Sequence, residues 1–292
     1  MLKNYESLAK DVLQSKKLSR INQGHIQKLI ESLIKKQEFN KFRLLINQKD
    51  IKEIKKNKEY KKFIKNLKKF LHDTYSVYQV KSDNQKEAIL DLINKTKDKE
   101  TLIELHKKML HTHASSRERQ NNYKTVYKQI FEICEKPNNI TDIGCGMNPF
   151  SLIFSGLTKI NYIGLDFAEK DIQLINNYFK LTGKRLGFHG QARIYDIFND
   201  QTEIKTDICF LFKMTDVIDY GSKGHKNTET FIKKIKSKYI IASFPTRTVS
   251  NKKMNNPRRN WFEVMLKRIN KNFRTFETKN ELFYVISDPQ SR

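Results

Sequence analysis

Apolar residues in the first third of the chain recur at intervals of three and four, as at Ile54, Phe63, Ile64, Leu67, Phe70 and Leu71. That spacing gathers them on one buried helix face. Residues 1–110 contain no proline and only Gly24, so this region is expected to form an all-helical domain. Loops are expected near Ser19–Asn22, Asn47–Asp50 and Val80–Asn84, and a connecting helix from about Glu118 to Glu135. Beyond Pro137 the period changes. Short apolar runs at 140–143, 161–165, 187–195, 207–212 and 238–244 alternate with helical patterns near 149–156, 169–181, 226–236 and 258–269. Phe273–Phe276 and Leu282–Ile286 read as a closing hairpin. Strand–helix alternation of this kind predicts an α/β fold, a mostly parallel sheet covered by helices on both faces. The expected division is a helical domain over 1–110 and a Rossmann-like domain over 111–292.

Charge then narrows the partners. Lys and Arg outnumber Asp and Glu by 57 to 32, a formal net charge of +25. Such an excess concentrates polyanions around the protein and favours phosphate contacts through counterion release, so nucleic acid is the expected partner. Nine lysines lie between Lys52 and Lys69. Among them Lys61, Lys62, Lys65, Lys68 and Lys69 form a candidate RNA-docking stripe, with a merely solvated helix face as the alternative. Cys134, Cys145 and Cys209 lack metal-ligand spacing, and the seven histidines form no HxxxH or HExxH pattern; no metal is expected. The amino terminus lacks a signal-peptide core and no uncharged run approaches 18 residues. A soluble, cytoplasmic monomer without a membrane partner is the expectation.

The chemistry concentrates in Ile140-Thr-Asp-Ile-Gly-Cys-Gly-Met-Asn-Pro149 and, about twenty residues on, Tyr162-Ile-Gly-Leu-Asp166. A strand enters a Gly-x-Gly turn, and the next strand ends in a carboxylate. In a doubly wound sheet the glycines let the backbone approach an adenosine-type ligand, and the acid accepts from the ribose hydroxyls. The third glycine of a dinucleotide fingerprint is absent, Pro149 standing in its place, and Asp142 precedes the turn. S-adenosylmethionine, a cation without phosphate, fits this form better than a dinucleotide does. Gly144, Asp166, Asp196 and Lys213 fall at strand tips, where such sheets bind ligands. Asp196 is placed beside the adenine amine, with Ile197 and Phe212 as apolar walls. Asn148 and Pro149 are read as a helix N-cap and first helical residue. They are not an amine-gripping motif, because that motif would follow the fourth strand. A ring nitrogen such as guanine N7 carries no proton, so its methylation needs positioning rather than a general base.

Two further segments stand out. In His113-Ala-Ser-Ser-Arg-Glu-Arg119, Ser115 or Ser116 is expected to cap a helix, and two arginines beside one acid suit a ligand carboxylate; a capping box with surface charges is the alternative. Ser243-Phe-Pro-Thr-Arg-Thr248 ends the fifth strand, and Lys252, Lys253, Arg258 and Arg259 follow before Trp261. A basic loop there suits phosphate clamping, while Trp261 and Phe262 are expected on the core face of the next helix.

Together with Tyr195-Asp196-Ile197, Phe212-Lys213 and Glu281-Leu-Phe-Tyr-Val-Ile286, these segments resemble the small-subunit rRNA guanine-N7 methyltransferases that confer aminoglycoside resistance, the Arm/Rmt group. The likeness covers about residues 105–287. It implies a Rossmann-like class I S-adenosylmethionine-dependent methyltransferase domain with a seven-stranded, mostly parallel sheet, preceded by an all-helical RNA-docking domain. It implies methyl transfer to guanine N7 in the decoding site of 16S rRNA within the small ribosomal subunit. The cofactor residues it implies are His113, Ala114, Ser115, Ser116, Arg117, Glu118, Arg119, Gly144, Asp166, Asp196, Ile197 and Phe212. Lys213 and Arg247 would act on the rRNA side with the basic loop. One departure is plain: where the group has a Gly-Gly-Arg-Gly-Lys-Gly-Met loop, this chain has Thr248-Val-Ser-Asn-Lys-Lys-Met254. A noncatalytic RNA-binding or ribosome-assembly factor, and an RNA methyltransferase with another target nucleotide, are the competing readings.

Overall fold

The computed structural model describes residues 2–15, 18, 21–75, 78, 80, 83–200, 202–220, 224–247 and 252–289. The expected loop positions Ser19, Arg20, Lys81 and Ser82, and loop residues Thr248 to Asn251, lie outside these. Five helices open the chain: α1 (Leu2–Leu13), α2 (Gln23–Ile34), α3 (Asn40–Gln48), α4 (Ile51–Ile54) and α5 (Lys58–Thr74). Their starts are written locally. Asn22, Asp50 and Asn57 each accept a hydrogen bond from a backbone N–H two residues on, which satisfies donors the helix cannot. Along α5, Tyr60, Phe63, Leu67 and Leu71 are buried, while every lysine of the predicted stripe is exposed.

Helices α6 (Asp83–Lys95), α7 (Lys99–Leu110), α8 (Ala114–Arg119) and α9 (Tyr123–Ile133) lead to the sheet. The single helix expected over 118–135 is therefore two, broken at Gln120–Asn122. Arg119 turns inward to pair with a distant carboxylate, and α9 restarts with Tyr123, Val126, Tyr127 and Ile130 buried. Strands β1 (Asn139–Ile143), β2 (Ile160–Asp166), β3 (Phe188–Ile194), β4 (Ile204–Phe212), β5 (Ile235–Pro245), β6 (Asn272–Glu277) and β7 (Glu281–Ser287) form one sheet in the order 3-2-1-4-5-7-6. The first five are parallel, and β7 runs antiparallel between β5 and β6. Helices α10 (Glu169–Leu186), α11 (Thr215–Ile218), α12 (Lys226–Lys234) and α13 (Asn260–Arg268) complete the crossovers. The order reverses between β1 and β4, so the crevice outside their carboxyl ends is where ligands bind in such sheets.

Three apolar cores run through the described residues. One joins α1–α5, from Tyr5 to Tyr75, and is closed by Ala168 just after β2. The second takes Leu90, Ile93, Leu102, Leu105, Met109 and Leu110 from α6 and α7 into the same cluster as Ile140, Tyr162 and Tyr178. The third gathers Ile143, Leu165, Leu211, Ile240, Phe244, Phe262 and Leu266.

His106 in α7 sits wholly buried in the second core. Its Nδ1–H donates to the Leu102 carbonyl (2.7 Å), leaving Nε2 to accept from the Tyr178 hydroxyl (3.1 Å). Burial pushes its pKa down to about 4, against about 6.5 in an unfolded chain. Below pH 6.5 the unfolded chain takes up a proton that the folded one refuses. Stability therefore falls as pH drops, by on the order of 3 kcal/mol once below the folded value. Urea titrations of His106→Gln should show a shallower loss between pH 6.5 and 4; an unchanged slope contradicts the assignment.

Candidate functional site

A cleft of about 890 Å³ of atom-free space, its open mouth included, lies outside the tips of β1, β2 and β4. Gly144 lines its floor, and Gly144 and Gly146 take φ +67° and +45°, a region open mainly to glycine. A Cβ on Gly144 would meet the Met214 side chain at 2.1 Å, and one on Gly146 the His113 ring at 2.8 Å. The turn is fastened to the next strand through Asp166, whose Oδ2 accepts the Gly146 N–H (2.8 Å) and Oδ1 the Ala168 N–H (3.1 Å). Burial raises the Asp166 pKa, and those N–H groups oppose the shift. Each oxygen keeps a lone pair for a ligand hydroxyl. At the tip of β3, Asp196 accepts from the Phe198 N–H (2.9 Å) and the Asn199 amide (2.7 Å). Ile143, Leu165, Ile197, Phe212 and Val217 supply apolar wall.

A narrower recess adjoins the cleft, lined by His113, Ser115, Ser116, Arg119, Asp142, Gly144 and Asn148 among others. Asp142 is buried and accepts from the Asn148 amide (2.6 Å) and the Tyr162 hydroxyl. Burial lifts its pKa to about 6, with those two donors and Arg119 pulling the other way. The Arg119 guanidinium donates from Nε to Glu281 (2.7 Å), from one terminal nitrogen to Tyr123 and Asn148, and from the other to Ser115 (2.6 Å). It lies 4.7 Å over the Phe212 ring. Burial works against its charge, yet the Glu281 carboxylate prevails and holds its pKa above the usual arginine range. Four of five guanidinium N–H groups are thereby directed, leaving one for an incoming carboxylate. A recess pairing that donor with the Asp142 carboxylate suits an α-amino acid, which carries both charges.

The expected helix caps need correction here. Neither Ser115 nor Ser116 caps α8: His113 holds the cap position without a side-chain bond, and Ser115 accepts from Arg119 instead. Asn148 is not an N-cap. Residues 148–154 form a 3-10 helix preceded by Met147, and the Asn148 side chain is drawn to Asp142. Ala114, Arg117 and Glu118 line neither cavity; Glu118 instead pairs with the Lys213 ammonium at the cleft. Arg247 donates from Nε to Asn280 (3.0 Å), and its backbone forms an antiparallel β-bridge with that of Lys253. Lys252 and Lys253 are exposed. Arg258 forks onto Glu263 at 2.7 and 2.9 Å. Arg259 turns inward onto the carbonyls of Pro245 and Pro257 and over the Phe244 ring, so it braces its loop rather than presenting charge to solvent. Phe262 is buried as expected, whereas Trp261 is only half-buried and stacks on His225 at 3.6 Å.

One whole wall of the cleft has no counterpart among the expected site residues. Leu29, Phe70, Leu71, Thr74, Tyr75 and Tyr78 of the helical region border the cleft. Phe70 packs edge-on against Phe198 and Tyr220, and Tyr220 donates to Asp73 (3.0 Å). Helical periodicity marked part of this face as buried without saying against what. Among the described residues, no group of three or more His, Cys, Asp or Glu could hold a metal ion. No described helix is long and apolar enough to cross a membrane.

The geometry makes Asp166 the test of the pocket. Calorimetry on Asp166→Ala should show S-adenosylhomocysteine affinity lowered by about 100-fold, since two charge-assisted hydrogen bonds and the anchor of the glycine turn go together. Wild-type affinity in that variant would sink the assignment.

A family model described as ribosomal RNA methyltransferase (FmrO) matches residues 51–285. The chain is 29% identical over 201 residues to a 16S rRNA (guanine(1405)-N(7))-methyltransferase of Proteus mirabilis, spanning 64% of this chain and 69% of that one. It is 26% identical over 229 residues to a protein of the same description from Micromonospora echinospora, spanning 76% and 81%. The solved 16S rRNA methyltransferase RmtF, in complex with S-adenosyl-L-homocysteine, shares its fold at TM-score 0.73 and 18% identity, over 99% of this chain and 100% of that one. The 16S rRNA methylase ArmA aligns at TM-score 0.53 and 25% identity, over 70% and 97%. With the strand order, the glycine turn and a family match over most of its length, the chain belongs to the FmrO family of ribosomal RNA methyltransferases.

Proposed function

We propose that this protein uses S-adenosylmethionine to methylate N7 of a guanine in the decoding site of 16S rRNA, acting on the small ribosomal subunit. The observation that carries the reading is the joined cleft and recess. Carboxylates stand at two strand tips around an opened glycine turn, and Arg119 and Asp142 line the recess beside it. The bound cofactor supplies an activated methyl group on a sulfonium. Asp166 receives the ribose hydroxyls, while Asp196, Ile197 and Phe212 enclose the adenine. Arg119 binds the carboxylate of the amino-acid end. His113, Ser115 and Ser116 shape the passage between the two spaces. The relatives named above methylate 16S rRNA at guanine N7 by their descriptions, and the charge of +25 suits that substrate.

The acceptor is a lone pair, so the protein has no proton to remove from it. What remains is orientation, which contributes roughly 7–11 kcal/mol when reacting atoms are held near attack distance. Lys213, at the lip of the cleft, and Arg247, at the base of the basic loop, hold the rRNA side. The lysines of α5 dock the subunit, with Lys252, Lys253 and Arg258 adding contacts nearer the base.

Incubating the full chain with small subunits and labelled cofactor, then mapping the modified base by mass spectrometry, tests the reading. N7-methylguanine is expected. Methyl on another base would retain the enzyme and change the target, and no incorporation despite cofactor binding would favour an assembly factor. Replacing Lys61, Lys62, Lys65, Lys68 and Lys69 by Gln should weaken subunit binding and flatten its log–log salt slope by about 4. Cofactor affinity should stay at the wild-type value; undiminished subunit affinity would return the stripe to ordinary solvated surface.

A further inference from the structure

Glu281 opens β7 and is only 1% exposed, and its two carboxylate oxygens serve different halves of the cleft. Oε2 accepts the Nε–H of Arg119 (2.7 Å), and Oε1 accepts the hydroxyl of Ser243 at the end of β5 (2.5 Å). Ser243 Oγ in turn accepts the backbone N–H of Lys213 (3.1 Å), which also reaches the Ser243 carbonyl (3.2 Å). Lys213 sits at φ +58°, a conformation that a lysine keeps only where its surroundings impose it. Arg119 borders the recess and Lys213 the lip, whereas neither Ser243 nor Glu281 lines either cavity.

We propose that Glu281 is a positioning residue: its divided carboxylate fixes Arg119, on the cofactor side, and the Lys213 turn, on the target side, in one geometry. The inference rests on the proposed methyl transfer. Ion-pairing alone does not account for the arrangement, because a buried pair contributes little net stability compared with apolar packing. Binding Arg119 would need only one carboxylate oxygen. The second oxygen orients a serine hydroxyl that would otherwise rotate, and so controls one of the two acceptors under the Lys213 N–H. In-line transfer tolerates little error, a displacement of about 1 Å costing on the order of 100-fold in rate. Glu281 therefore acts on both cofactor affinity and transfer, and Ser243 on transfer alone.

The test compares wild type, Glu281→Gln and Ser243→Ala as full chains. Calorimetry with S-adenosylhomocysteine is set beside single-turnover methyl transfer to small subunits at saturating cofactor. In Glu281→Gln both affinity and rate should fall about tenfold, the scale of one lost charged hydrogen bond. In Ser243→Ala affinity should stay within about twofold while the rate falls about tenfold. A Glu281→Gln protein that melts earlier yet keeps wild-type affinity and rate overturns the proposal, as does a Ser243→Ala protein with wild-type rate. Should Glu281→Gln fail to fold, Ser243→Ala decides alone by the same criterion. Absence of methyl transfer by the wild type would refute the functional reading instead. The positioning role is then judged by the Lys213 amide resonance, which must shift in both variants and overturns the role if it stays in place.

Discussion

An arginine enclosed by protein must give up its hydration, and it stays charged only where a carboxylate and further acceptors replace the water. Arg119 meets that condition through Glu281, Tyr123, Asn148 and Ser115. Much of the site follows. The inward turn of Arg119 coincides with the break between α8 and α9, and Ser115 of α8 lines both cleft and recess. The Glu281 partner of Arg119 lies 162 residues away in sequence, so β7, the second strand of the closing hairpin, is tied to the segment that enters the sheet domain. The antiparallel insertion of β7 between β5 and β6 is what brings Glu281 beside Ser243.

The second constraint is that the cleft is not made by the sheet alone. Side chains from α2, α5 and the stretch after α5 close one side of it, and the core of the helical region takes in Ala168 beyond the tip of β2. His25 stacks on Phe167 at 5.5 Å, and Asn22 donates to Glu169 (2.9 Å). Cavity wall and lysine stripe are opposite faces of α5. An exposed cationic surface and a cavity wall therefore share one helix.

What the sequence made legible was local. Gly144, Asp166 and Asp196 stand within short segments whose strand, turn and acid can be read side by side, and all seven strands were anticipated to within a few residues. The losses share a cause. Ser115 and Asn148 have the right chemistry for caps, but distant partners, Arg119 and Asp142, claim their side chains. The carbonyls that Arg259 meets are brought in by the fold and have no local signature. Glu281 carries no local signal of its task, because both of its partners arrive through the sheet. Likewise α6 and α7 continue the helical pattern of the first domain, and only packing assigns them to the second core.

The left-handed backbone at Lys213 carries an evolutionary consequence. Branching at Cβ collides with the chain there, so valine, isoleucine and threonine are effectively barred, and an unbranched residue must tolerate roughly 1 kcal/mol. Glycine would relieve that penalty but would delete the ammonium that meets Glu118. Drift at this codon is thus confined to a narrow corridor in which backbone ease and side-chain reach pull in opposite directions.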